Sequence, residues 1–84
     1  MKKTKTPIAF RPLHVIAAEI KAVWKNVYFG AVPYLDAMQT LQDKNSNYGM
    51  DSAQSIVLYF LSNATGFRGE DAKRIKLELA AAVK

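Results

Sequence analysis

The spacing of apolar residues over positions 13–28 constrains this chain more than any other feature. Leu13, Ile16, Ala17, Ile20, Val23, Trp24, Val27 and Tyr28 recur at three- and four-residue steps, and at about 100° per residue they share one arc of a helix. Pro12 suits the first helical position, where its missing N–H costs nothing. His14, Lys21 and Lys25 line one border of the arc, while Glu19 and Asn26 lie beyond it. Gly30 is placed to adopt the left-handed conformation that closes a helix, and Pro33 forbids simple continuation.

The same reasoning extends along the chain. Tyr34, Ala37, Met38 and Leu41 form an i, i+3, i+4, i+7 set, so a second helix is expected to open at Pro33 after a very short connection. Asp43-Lys44-Asn45-Ser46-Asn47-Tyr48-Gly49 is rich in turn formers and reads as a loop. Asp51 or Ser52 can cap the next helix, and Gln54 stands where an Asp51 cap wants its capping-box partner. The apolar run 56–61 fits a buried strand as easily as a buried helix. The cap before it, its continuation through Ser62-Asn63-Ala64 and the lack of a second convincing strand favour a helix, and its near-complete apolarity places that helix at the centre. Thr65 and Gly66 mark a break, Gly66 as terminator and Thr65 as cap. Glu70 and Asp71 favour the start of a last helix, Glu70 can pair with Arg74 one turn later, and Ala72, Ile75, Leu79, Ala82 and Val83 form its buried stripe. Leu77 points the other way.

Eighty-four residues fit one domain, so the expected fold is all-α: a compact bundle of about four helices over residues 9–84, preceded by a flexible basic arm at 1–8. The longest unbroken apolar run, 56–61, is far short of the roughly 20 residues that cross a bilayer, so no membrane partner is expected. The charged N-terminus lacks the apolar stretch of a signal peptide. The absence of cysteine removes disulfide and thiol chemistry and weakly favours a cytoplasmic location.

Reactive groups are sparse. One histidine, His14, with no cysteine, leaves no metal constellation and no Ser-His-Asp arrangement, and a solvated surface histidine is the expected reading. Asp36, Asp43, Asp51, Glu70 and Asp71 are accounted for as caps, first-turn acids or helix surface. The glycines at 30, 49, 66 and 69 match neither GxGxxG nor the GxxxxGKS/T loop. The chain therefore reads as non-enzymatic, with no catalytic residue, metal or cofactor.

Two groups of residues remain as candidate binding sites. Trp24, Tyr28, Phe29 and Tyr34 gather around the Gly30 corner, with Phe29 pointing off the main apolar arc. Rings in so short a chain are needed for the core, yet exposed aromatics are also what protein interfaces use. Tyr28, Phe29 and Tyr34, helped by Arg68, form the candidate surface for an unidentified protein partner or for self-association. The alternative is a nucleic-acid site built from Lys2, Lys3 and Lys5 of the arm with Arg68, Lys73, Arg74 and Lys76. The formal charge of +5 points that way. From Thr6 onward, however, nine Lys or Arg face seven Asp or Glu, and Glu70, Asp71 and Glu78 are interleaved with the basic residues.

The strings Trp24-Lys25-Asn26-Val27-Tyr28-Phe29-Gly30-Ala31-Val32-Pro33-Tyr34-Leu35-Asp36-Ala37-Met38 and Asp51-Ser52-Ala53-Gln54-Ser55-Ile56-Val57-Leu58-Tyr59-Phe60-Leu61-Ser62-Asn63-Ala64, with Phe67-Arg68-Gly69-Glu70, resemble a family of small proteins of bacteria, prophages and other mobile elements. Phe67 stands where the family pattern leads one to expect Trp. The resemblance implies a short accessory protein, made in bacterial cytoplasm, that regulates or inhibits another macromolecule. Asn26, Asn63 and Arg68 lie within these strings and are expected to be buried hydrogen-bonding groups that order the helices, a binding role being the alternative.

Overall fold

Leu13–Val23 form the first helix, α1, in a computed structural model that describes residues 11–84. The expected arm at 1–8, with Lys2, Lys3 and Lys5, lies outside the described residues. The orphan donors at the start of α1 are met by backbone: Leu13 and His14 N–H donate to the carbonyls of Gln42 and Leu41 (2.9 and 3.0 Å), and Val15 and Ile16 to that of Pro12 (3.0 and 3.2 Å). His14 is exposed, with its Nδ1 3.2 Å from the Leu41 carbonyl oxygen.

Helix α1 does not run on to Tyr28. It ends at Val23 because Trp24 turns to extended backbone (φ −97°, ψ 94°) and enters the core, 7% exposed. There its ring stacks on Phe67 (centroids 5.0 Å, 19° between planes) and meets Phe60 edge-on (6.1 Å, 76°). Burying the largest side chain outweighs one more helical turn. Gly30 is likewise not a left-handed terminator. It sits in a 3₁₀ turn, Phe29–Ala31, while the positive φ values belong to Gly49 (61°) and Gly69 (109°).

The second helix, α2, spans Val32–Met38 with Pro33 in its first turn, and buries Leu35, Ala37 and Met38, with Leu41 just beyond. The expected loop at 43–49 holds a minimal antiparallel hairpin that an all-α reading omits. Its strands β1 (Asn47–Tyr48) and β2 (Asp51–Ser52) pair Asn47 with Ser52 and Tyr48 with Asp51 across Gly49. Two-residue strands are too short to show as alternation in sequence.

Of the two possible caps, Ser52 is the one used: its Oγ accepts the Ser55 N–H (3.1 Å) at the start of α3, Ala53–Ser62. Gln54 completes no capping box; its Nε2 donates to the Val83 carbonyl (3.2 Å), tying α3 to the end of the last helix. Residues 56–61 are helical, but α3 is not an all-round buried helix. Ala53, Ile56, Val57 and Phe60 face the core, whereas Leu58 and Tyr59 are 57% and 52% exposed.

Helix α4 spans Glu70–Ala82, and Gly69 rather than Thr65 is its N-cap (φ 109°, ψ −178°). Its buried stripe is Ala72, Ile75, Leu79 and Val83, with Ala82 half-buried. Leu77 points outward at 69% exposure. Arg74 does not pair with Glu70; it reaches Asp71 and, on α1, Glu19.

The helices close one core: α2 packs on α3, α1 on both α2 and α4, and α3 on α4. Ile16, Ile20, Met38, Leu41, Val57, Phe60, Ile75 and Leu79 have no measurable exposure, and a fully buried side chain of this kind is worth about 1.5–3 kcal/mol. No polar side chain is buried among the described residues. The expectation of buried polar groups is therefore corrected: Asn26 and Arg68 are exposed and Asn63 is half-buried. Among the described residues, no helix is long and apolar enough to cross a membrane.

Candidate functional site

Once Trp24 has left for the core, the remaining rings of the corner are free to face solvent. Phe29 is 79% exposed and Tyr28 49%. Their centroids are 4.8 Å apart with 54° between planes, a tilted pair rather than two independent side chains. Buried Ala31 anchors the 3₁₀ turn beneath them. Gly30 lets the Tyr28 ring lie directly on the backbone, since a Cβ there would stand 2.5 Å from Tyr28 Cε2 and 2.9 Å from Asn63 Oδ1.

The neighbouring side of α3 extends this surface. Tyr34 is half-buried and lies 5.4 Å, centroid to centroid, from the exposed Tyr59 ring. Asn63 Nδ2 donates to the Tyr59 carbonyl (2.9 Å) and Ser62 Oγ to that of Leu58 (3.0 Å). Val32 at the start of α2 is 39% exposed. Tyr59 and Leu58 lie in the run 56–61, whose apolarity alone points to the core, and Val32 belongs to none of the periodic apolar sets. A usable signal was present: residues 26–35 and 52–67 contain no Asp, Glu, Lys or Arg, although 23% of the chain is charged.

Arg68 is not brought into the aromatic pairs by any hydrogen bond among the described residues. Its Nε donates back to the Thr65 carbonyl (3.3 Å) in the connection before α4. The described basic residues have different surroundings. Arg74 is held by carboxylates, and Lys76 Nζ lies 5.8 Å from the centroid of the buried Phe67 ring, a cation–π distance. Lys73 and Arg68 are exposed.

Charge is concentrated instead where α1 meets α4. Arg11 grips Glu78 with two bonds, Nε to Oε2 (2.9 Å) and Nη2 to Oε1 (2.6 Å), and Nη2 also reaches Glu19 Oε1 (2.8 Å). Arg74 Nη2 holds Glu19 Oε2 (2.6 Å) and Asp71 Oδ1 (3.2 Å). Hydrogen bonds from Arg74 and then Arg11 draw the Glu19 carboxyl down to about 2. The Arg11 bonds also lower Glu78, while the carboxylates raise both guanidiniums further above their ordinary range, Glu78 acting first on Arg11 and Glu19 first on Arg74. Each acid thus already has a partner, and the cluster works as a clamp between two helices.

A cleft of about 300 Å³ opens between the start of α1, residues 42–45 and Ala81–Ala82. Its charged groups are engaged: Arg11 by Glu78 and Glu19, Asp43 Oδ1 by the Asn45 N–H (2.9 Å), and Lys44 Nζ by the Lys84 carbonyl (3.3 Å). Among the described residues, no three His, Cys, Asp or Glu side chains are grouped to hold a metal. No family model, curated protein or solved structure matches the chain.

Proposed function

We propose that this chain is a non-enzymatic accessory protein that acts by binding another protein through the Tyr28, Phe29 and Tyr34 corner, enlarged by Tyr59 and Val32. The observation that carries the reading is Phe29, a large apolar ring 79% exposed on a turn braced by a tightly packed glycine. A soluble chain gains nothing for folding by exposing it, whereas a rigid exposed aromatic is what an interface centre uses. The proposed surface does not depend on Arg68, whose Nε bonds back to the Thr65 carbonyl. The context is that implied by the sequence resemblance: a small cytoplasmic regulator or inhibitor of a bacterium or mobile element. A nucleic-acid site has less support, because Arg74 is already neutralised by Glu19 and Asp71 and Lys76 lies by the Phe67 ring.

The test is affinity capture from a bacterial lysate with the wild-type chain and with folded Phe29→Ala and Tyr34→Ala variants, under nuclease treatment. Loss of the captured protein with either variant supports the reading. Equal capture by all three chains, or release of the catch by nuclease, overturns it.

A further inference from the structure

The hairpin between α2 and α3 carries a group that the proposed binding role does not use. We infer that Met50, at its tip, is a reversible oxidation site: a hydroperoxide converts the thioether to the sulfoxide while the chain stays folded, and thiol-dependent reduction restores it.

Composition narrows the choice first. The chain has no cysteine and three methionines, so no thiolate competes for a two-electron oxidant and the thioethers are its sulfur nucleophiles. Met1 lies outside the described residues. Met38 sits in the core at 0% exposure, whereas Met50 is 102% exposed, as open as in an extended peptide.

The turn geometry explains that difference. Pairing of Tyr48 with Asp51 leaves Gly49 and Met50 as a two-residue loop. Gly49 takes a φ of 61°, a left-handed value that tight hairpins ask of a central residue and that glycine adopts without strain. No atom comes within 4 Å of the place a Gly49 Cβ would occupy, and Asn47, Tyr48 and Asp51 are themselves exposed. The base of the hairpin is held by the Ala53 N–H, which donates to the Ser46 carbonyl (3.0 Å), and by the Ser52 cap of α3. The loop thus presents the Met50 sulfur to solvent on a fixed base, and a small peroxide reaches it with no opening of the chain.

The chemistry balances with a hydroperoxide as oxidant. With hydrogen peroxide, a sulfur lone pair attacks one oxygen, the S–O bond forms as the O–O bond breaks, and the leaving hydroxide takes the proton of the transferred oxygen and departs as water. In the reverse direction two thiols of a reductant supply two electrons and two protons, a disulfide forms, and the oxygen leaves as water. At Met50 the new oxygen faces water and no packing is given up. At Met38 the same oxygen would enter a core that buries no polar side chain among the described residues, where an unpaired acceptor is costly, and an oxidant reaches that sulfur only when the structure opens. Oxidation therefore turns the apolar end of the hairpin polar and leaves the core as it was.

Timed treatment of the full chain with hydrogen peroxide, followed by peptide mass spectrometry, tests the inference. The expected result is one added oxygen at Met50, gained at about the rate of free methionine, with Met38 at least about tenfold slower. In concentrated urea the two sites should react alike, which shows that the fold and not the local sequence protects Met38. The chain oxidised at Met50 should keep its Tm, and a pair of methionine sulfoxide reductases, one for each epimer, should return its mass to the starting value. Met50→Leu should remove the fast site and leave the slow reaction of Met38 unchanged. Equal rates at Met38 and Met50 in the folded chain overturn the inference, as do a Met50 that resists peroxide, a Tm that falls as Met50 is oxidised, or a sulfoxide that the reductases leave in place.

Discussion

Replacing Gly30 with alanine tests whether the Tyr28 ring is seated on the backbone as described. The new Cβ would lie 2.5 Å from Tyr28 Cε2, 3.1 Å from Tyr28 Cζ and 2.9 Å from Asn63 Oδ1, against an optimal carbon–carbon separation of about 3.5–4.0 Å. The backbone itself raises no objection, because φ at Gly30 is not positive. Reduced freedom of the unfolded chain alone would stabilise the variant by about 0.4–1 kcal/mol. Relief of the clash moves the other way. Tyr28, 49% exposed, must swing off and give up its pairing with Phe29, worth about 0.5–1.5 kcal/mol. Asn63 must shift and strain its bond to the Tyr59 carbonyl, worth about 0.5–1.5 kcal/mol. The balance is a loss of about 1 kcal/mol, which lowers Tm by about 4–8 °C in a domain of this size. Thermal unfolding followed by circular dichroism reads this directly. Gly66→Ala, with nothing within 4 Å and no positive φ, is the matched control and should hold or raise Tm. A Gly30→Ala variant as stable as that control would mean that Tyr28 does not rest on Gly30, and the preorganised corner would lose its basis.

Gly69→Ala isolates backbone strain, because open space surrounds the position while its φ of 109° and ψ of −178° belong to a region that is essentially glycine's own; a loss of about 1–3 kcal/mol is expected in urea unfolding. Ser52→Ala removes the acceptor of the Ser55 N–H and should lower the urea midpoint by an amount equivalent to about 1 kcal/mol, with the denaturant slope unchanged. The clamp between α1 and α4 predicts an acid limb: Glu19 falls from 4.5 to about 2 in the folded chain and Glu78 is lowered too. Their contribution is present above the unfolded value and is lost as pH drops from about 4.5 toward 2. Glu19→Gln should cost about 1 kcal/mol at neutral pH and flatten that limb in a series of thermal melts; an unchanged slope would mean that the clamp is not coupled to folding.

Legibility in the sequence followed the range of the interactions. The stripes Leu13, Ile16, Ala17, Ile20 and Ala72, Ile75, Leu79, Val83 were readable because a period of three to four residues is local, and all eight are buried. The end of α1 was not readable, because Trp24 leaves the helix for Phe60 and Phe67, partners far along the chain that periodicity cannot sense. Likewise, the choice of Arg74 for Glu19 over Glu70 depends on α4 lying beside α1. The corner was legible as an aromatic concentration, but its division into buried Trp24 and exposed Phe29 was not, since both rings fit either environment. Apolarity alone misplaced Leu58 and Tyr59 in the core. A chain with too few neighbours to surround α3 must leave one side of that helix open.

The separation of charge from aromatics gives this small protein two surfaces with different sensitivities. Glu19, Glu78 and Asp71 with Arg11 and Arg74 join α1 to α4 through partly exposed ion pairs, interactions that salt screens and acid removes. The corner and the outer side of α3 hold no ionic group, so contacts made there depend on apolar area, which salt does not weaken. The two responses can therefore be pulled apart in one preparation. Raising the salt at neutral pH should lower the stability of the single chain slightly and leave association through the corner intact, while Phe29→Ala should weaken that association and cost the single chain only its pairing with Tyr28, about 0.5–1.5 kcal/mol. Salt that moved both together would mean that the charged clamp and the aromatic corner share one mechanical unit, and α1, which enters the clamp at Glu19 and leads into the corner through Trp24, would be the element that joins them.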